Sequence, residues 1–156
     1  MQITQTSRRR PSRVGAWLAG AMLFAFATAV PVQARPVQVL GESLMQVEGH
    51  MEWAALNAKW PKNRDAWLQS VSDADSPSGI AKAIVAFESN LTWEALKPSW
   101  KENRANWLAA ARTAKTKEQV AAALMGLESQ TKWEAYKKTW KADRPDWLAR
   151  LKEMAE

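Results

Sequence analysis

Arginine, glutamate and tryptophan recur in this chain at spacings that could bring them together. Arg64, Arg104 and Arg144 each stand four residues after one tryptophan (Trp60, Trp100, Trp140) and three before the next (Trp67, Trp107, Trp147). A glutamate, Glu48, Glu88 or Glu128, lies sixteen residues before each arginine. Residues three and four apart share a helix face, so each guanidinium is set near two indole rings, where cation–π stacking contributes about 0.5–2 kcal/mol. The same guanidinium can pair bidentately with the recurring glutamate. A buried arginine needs a resident partner, which favours an internal clasp fixing the angle between the first and last helices of a unit. The alternative is an anion site for phosphate, carboxylate or sulfate.

Other chemistry is sparse. His50 is the only histidine and the chain has no cysteine, so there is no thiolate metal set, thiol nucleophile or disulfide, and no metal or cofactor is expected. No glycine-rich phosphate loop, HExxH or GxSxG is present. Carboxylates are plentiful, but a glycosidase pair needs a cleft that holds two at a defined separation. The stretch DADSPSG resembles a calcium loop only at its two aspartates and reads as a solvated turn.

These residues belong to a 40-residue internal repeat. Trp53, Trp93 and Trp133 form one column, Trp60, Trp100 and Trp140 a second, and Trp67, Trp107 and Trp147 a third. Upstream, Leu40, Leu44 and Val47 match Ile80, Ile84 and Phe87, and then Val120, Leu124 and Leu127. Their spacing marks one face of an amphipathic helix. Ser76 and Thr116 share a column as candidate N-caps; Pro77 follows at a harmless first helical position, and Thr116 with Gln119 makes a capping box. The first helix of the second unit is therefore predicted over 78–89.

The tryptophan segment reads less simply. As one helix it would carry a single seam of Trp93, Leu96, Trp100, Arg104 and Trp107. Pro61, Pro98 and Pro145, at different offsets around the second tryptophan and the arginine, oppose continuity, since a proline inside a helix costs about 3 kcal/mol. Asn63, Asn103 and Asp143 then become candidate N-caps of a last helix, with Pro145 in its first turn.

The expected architecture is all-α: three tandem 40-residue repeats, each of about three short helices, stacked into one short solenoid-like domain. The units run over residues 35–75, 76–115 and 116–156, with SDADSPS and TAKTK as linkers. Apolar residues at helical spacing mark core, so Trp53, Trp93, Trp133, Trp67, Trp107 and Trp147 are expected to fill the junctions. Trp60, Trp100 and Trp140, beside the expected kink, are the candidates for remaining accessible to a ligand.

Residues 1–34 have the layout of a secretory signal: Arg8, Arg9, Arg10 and Arg13, then the apolar run VGAWLAGAMLFAFATAV, then Pro31 before Val32-Gln33-Ala34. Cleavage after Ala34 is preferred, with Ala27 and Ala29 offering a second site; the alternative is an uncleaved membrane anchor. The four leader arginines carry most of the net charge of +6, leaving +2 on the remainder. No strong cationic field is left to draw nucleic acid. The residual charge is uneven, with Lys132, Lys137, Lys138 and Lys141 clustered in the third unit.

The pieces TWEALK and ENRANWLAA resemble the second half of an FF domain, a small helical peptide-binding module. The resemblance covers about half of each unit; the 40-residue period is too short for that module and a secretory leader does not fit it. The function expected from the residues is an exported, periplasmic or secreted, non-enzymatic binding or scaffolding protein of the cell envelope, with a protein or envelope polymer as partner. The alternative is attachment to anionic lipid or cell-wall polymer through the basic third repeat, with Lys137, Lys138 and Lys141 at the contact. A glycan-active enzyme is the third reading, and self-association through the terminal units stays open.

Overall fold

The computed structural model describes residues 34–156; the expected leader, its cleavage and the anchor alternative lie outside them. Helix α1 spans Ala34–Gly49, α2 Trp60–Asp73, α3 Pro77–Ser89, α4 Trp100–Thr113, α5 Lys117–Gln130 and α6 Trp140–Ala155. Short 3-10 helices, Trp53–Ala55, Trp93–Ala95 and Trp133–Ala135, sit between the two α-helices of each unit. Among the described residues no helix is long and apolar enough to cross a membrane.

The first helices start where their caps put them. The Ser76 hydroxyl accepts from the Gly79 N–H at 3.2 Å with Pro77 in the first turn. Thr116 and Gln119 form the reciprocal box, satisfying two N–H groups left open by the helix start. Helices α1, α3 and α5 then pack on one another, and Leu40, Leu44, Val47, Ile80, Ile84, Phe87, Val120, Leu124 and Leu127 are buried between them.

The last helices begin earlier than their composition suggests. Asn63, Asn103 and Asp143 lie inside α2, α4 and α6 rather than at their N-caps. The capping positions are Lys59, Ser99 and Thr139, which have helical backbone angles and make no side-chain cap. The preceding turn supplies the acceptors instead: the N–H groups of Trp60, Trp100 and Trp140 donate to the carbonyls of Asn57, Lys97 and Lys137 at 2.9–3.0 Å. The break thus falls before the second tryptophan, not after it. Pro61 occupies the first turn of α2, whereas Pro145 sits inside α6, beyond the first turn where it was expected.

The three stacked units close on themselves. The Asn57 N–H donates to the Asn90 carbonyl and Thr92 to Ala55; Lys97 donates to Gln130 and Lys132 to Ala95; Lys137 donates to His50 and Glu52 to Ala135, all at 2.7–2.9 Å. Each junction is one short antiparallel bridge, and the third returns from the last unit to the first. α2 packs on α3, α4 on α5 and α6 on α1. A head-to-tail contact whose rotation closes after three copies makes a ring about an approximate three-fold axis. At about 1.5 Å per residue, the 16 residues of α1 carry the chain about 24 Å from Ala34 to the end bearing the 3-10 helices, here called the crown. Helices α2, α4 and α6 run back toward the Ala34 end.

Candidate binding face

The second tryptophan column and the clasp form one internal site per unit. Arg64 Nε donates to Glu48 Oε1 at 2.6 Å and Nη2 to Oε2 at 3.1 Å. Arg104 holds Glu88 at 2.7 and 3.0 Å, and Arg144 holds Glu128 at 2.6 and 3.0 Å. Each glutamate also accepts from an indole Nε1 of Trp60, Trp100 or Trp140 at 3.2–3.3 Å. The three glutamates are buried, while each arginine side chain is about a third exposed. The hydrogen bond to its glutamate raises each arginine's pKa against the opposing effect of burial. A raised folded pKa means that this contribution is whole below arginine's ordinary value and is lost only as pH rises through the still higher folded one. An anion arriving here would find the guanidinium fork already occupied.

Two column assignments are therefore reversed. Trp60, Trp100 and Trp140, expected to face a ligand, are fully buried. Trp53, Trp93 and Trp133, expected in the core, are 59, 57 and 50 % exposed. The third column packs inside as expected, with Trp67 and Trp147 buried and Trp107 partly so. Its indoles cross the junctions: Trp67 Nε1 donates to the Ala83 carbonyl, Trp107 to Ala123 and Trp147 to Ser43, at 2.8–3.0 Å. Rings of the second and third columns meet at 5.2–5.3 Å within each unit, near edge-to-face geometry that favours aromatic pairs.

Backbone geometry explains the reversal. Seven-residue spacing puts two side chains on one face only of an unbroken helix. Here each 3-10 helix ends on an extended residue, Leu56, Leu96 or Tyr136, with φ between −111 and −101° and ψ of 145–148°. That step breaks the helical phase, turning the first ring outward while the second goes into the core. Tyr136 itself is buried, its ring stacked on Trp140 at 5.3 Å, and burial pushes its phenol pKa up.

Residues next to the exposed rings in the chain line a depression of about 140 Å³ on the crown. Its walls include Glu52, Thr92, Glu94, Lys132 and Glu134, which are the chain neighbours of the three tryptophans. Beside it, Trp133, Lys137, Lys138 and Lys141 join Glu52, Glu134 and Tyr136 around a groove of about 520 Å³. The basic residues expected to act together are thus gathered, but around Trp133 rather than Trp140.

His50 serves the junction between the third and first units. Its Nδ1 lies 2.7 Å from the Gln46 carbonyl and its Nε2 2.8 Å from Asp143 Oδ2. The same position at the other junctions carries Asn90, which accepts from Asn57, and Gln130, which accepts from Ser99. Among the described residues no group of three or more His, Cys, Asp or Glu is arranged to hold a metal ion.

A family model described as Domain of unknown function (DUF8799) matches residues 34–92 and again residues 82–141. No curated protein matches the chain, and no solved structure does. The two matches support tandem repetition and together cover more than half of the sequence, so the chain belongs to the DUF8799 family.

Proposed function

We propose that this chain is an exported, non-enzymatic binding or scaffolding protein of the cell envelope, and that the crown is the face that holds its partner. The observation that carries the reading is the outward placement of Trp53, Trp93 and Trp133 at three equivalent positions of a ring. Large indoles left in water beside polar groups mark interaction surfaces, because a partner that covers them recovers apolar contact while the indole N–H stays free to hydrogen-bond. The basic, apolar leader supports export. The ring supports a scaffolding role, since the clasps and cross-junction indoles hold the three crown elements without drawing on the exposed rings.

The test is the triple substitution Trp53→Ala, Trp93→Ala, Trp133→Ala. Each site is exposed, so stability should change by no more than about 0.5 kcal/mol per site, read by thermal unfolding. Co-sedimentation with an envelope fraction should be lost. A triple variant that unfolds at the parental temperature and still co-sediments would remove the crown from the proposal.

A further inference from the structure

The groove beside Trp133 differs from its two counterparts in charge. At the positions of Lys137, Lys138 and Lys141, the first unit carries Asn57, Ala58 and Pro61, and the second carries Lys97, Pro98 and Lys101. Interior packing does not require this difference, because all three units make the same clasp. Lys137 Nζ donates to the Gly49 carbonyl at 3.1 Å. Among the described residues neither Lys138 nor Lys141 has a carboxylate within ion-pair distance.

We infer that this groove binds an acidic polysaccharide, an inference that rests on the crown being the binding face. The flat face of Trp133 suits stacking against the C–H face of a sugar ring. Lys138 and Lys141 supply charges for carboxylates on the chain, and Glu52 and Glu134 supply acceptors for its hydroxyls. A volume of about 520 Å³ falls in the usual range of ligand clefts. An anionic bilayer suits the face less well. Seating all three indoles in its interface would press Glu52, Glu94 and Glu134, their neighbours in the chain, against like charge. A sugar chain in the groove needs only Trp133. Its carboxylates are spaced along the polymer, so they can meet Lys138 and Lys141 while the hydroxyls between them meet Glu52 and Glu134, which a continuous sheet of lipid charge does not allow.

Tryptophan fluorescence and calorimetric titration of the purified protein with polygalacturonate and alginate, with neutral dextran as control, test this directly. Saturable, salt-weakened binding to the acidic polymers and none to dextran is expected. Lys138→Ala with Lys141→Ala should weaken binding by about tenfold at unchanged unfolding temperature. Trp133→Ala should remove the fluorescence change, and Lys152→Ala, an exposed lysine near the far end of α6, should leave it. Binding that is equal for dextran, or unmoved by the lysine pair, would overturn the inference. So would capture by phosphatidylglycerol vesicles without any binding to the acidic polymers. Absence of polymer binding while the triple tryptophan variant still loses envelope retention would refute the polysaccharide and leave the crown reading standing.

Discussion

Inside the ring, the first and third units are hard to tell apart. Glu48 is held by Arg64 and Trp60 as Glu128 is by Arg144 and Trp140, at distances agreeing within 0.1 Å. Trp67 reaches forward to the Ala83 carbonyl as Trp147 reaches round to that of Ser43. At the crown they part: Asn57, Ala58 and Pro61 edge the first unit where three lysines edge the third. Closure accounts for the contrast. A unit whose junction angle drifted would prevent the ring from meeting itself, so the parts that set the angle must agree in all three copies. At the crown edge Asn57 and Lys137 still reach across a junction. Among the described residues the side chains of Ala58, Pro61, Lys138 and Lys141 make no hydrogen bond across one and are free to differ, and that is where chemistry particular to one unit can reside.

The sharpest way to break the comparison is to attack the clasp. Arg104→Ala strands Glu88 as a buried carboxylate with only an indole partner. Losing one member of a buried pair costs about 3–5 kcal/mol, and the partial exposure of Arg104 places the expected loss near the lower end. Arg104→Lys keeps the charge but not the two-pronged geometry and should cost less, though still measurably. Thermal unfolding of both variants is the check; an Arg104→Ala variant as stable as the parent would mean that the clasp does not set the packing.

A smaller effect should separate the one junction without a peptide link from the two that have one. Trp147→Phe removes the indole donor to Ser43 and some packing, at a cost of about 1–3 kcal/mol. Hydrogen exchange should then rise first in α1, which only this junction fastens to the end of the chain. The same change at Trp107, whose indole is partly exposed, should be milder. Equal losses, with no local increase in α1, would show that closure adds nothing to the other junctions.

The smallest effect is a gain. Ser43 is fully buried and its hydroxyl has no hydrogen-bond partner, while the equivalent positions are Ala83 and Ala123. Ser43→Ala should therefore stabilise by up to about 1 kcal/mol. Denaturant unfolding would register it as a higher midpoint with an unchanged slope.

Several of these features are legible in the amino-acid sequence alone. The 40-residue period exposed the columns; i, i+4 and i+7 spacing identified the central helices; Ser76, Thr116 and Gln119 marked two helix starts by local hydrogen-bond chemistry. The arginine–glutamate partnership could be read because both charges recur in register. The starts of α2, α4 and α6 could not, because backbone carbonyls of the preceding turn do what a side-chain cap would otherwise do. The facing of the tryptophans also escaped, since the signal that separates the columns lies in their partners. The second column has a glutamate twelve residues upstream and an arginine four downstream, the mark of a ring going inside with its polar edge satisfied, whereas the first column has no such pair.

Composition and order alone dictated three equivalent helical units, their central apolar stripes and a charge pair in each, because these depend on periodicity and on contacts that repeat in register. Whether the units ran open or closed, and which tryptophans met water, depended on the tertiary structure. Both turn on backbone angles at one extended residue per unit and on the rotation between packed helices, and neither is carried by residue spacing. Three rotations of about a third of a turn each make the ring, and the same extended step places Trp53, Trp93 and Trp133 on its crown.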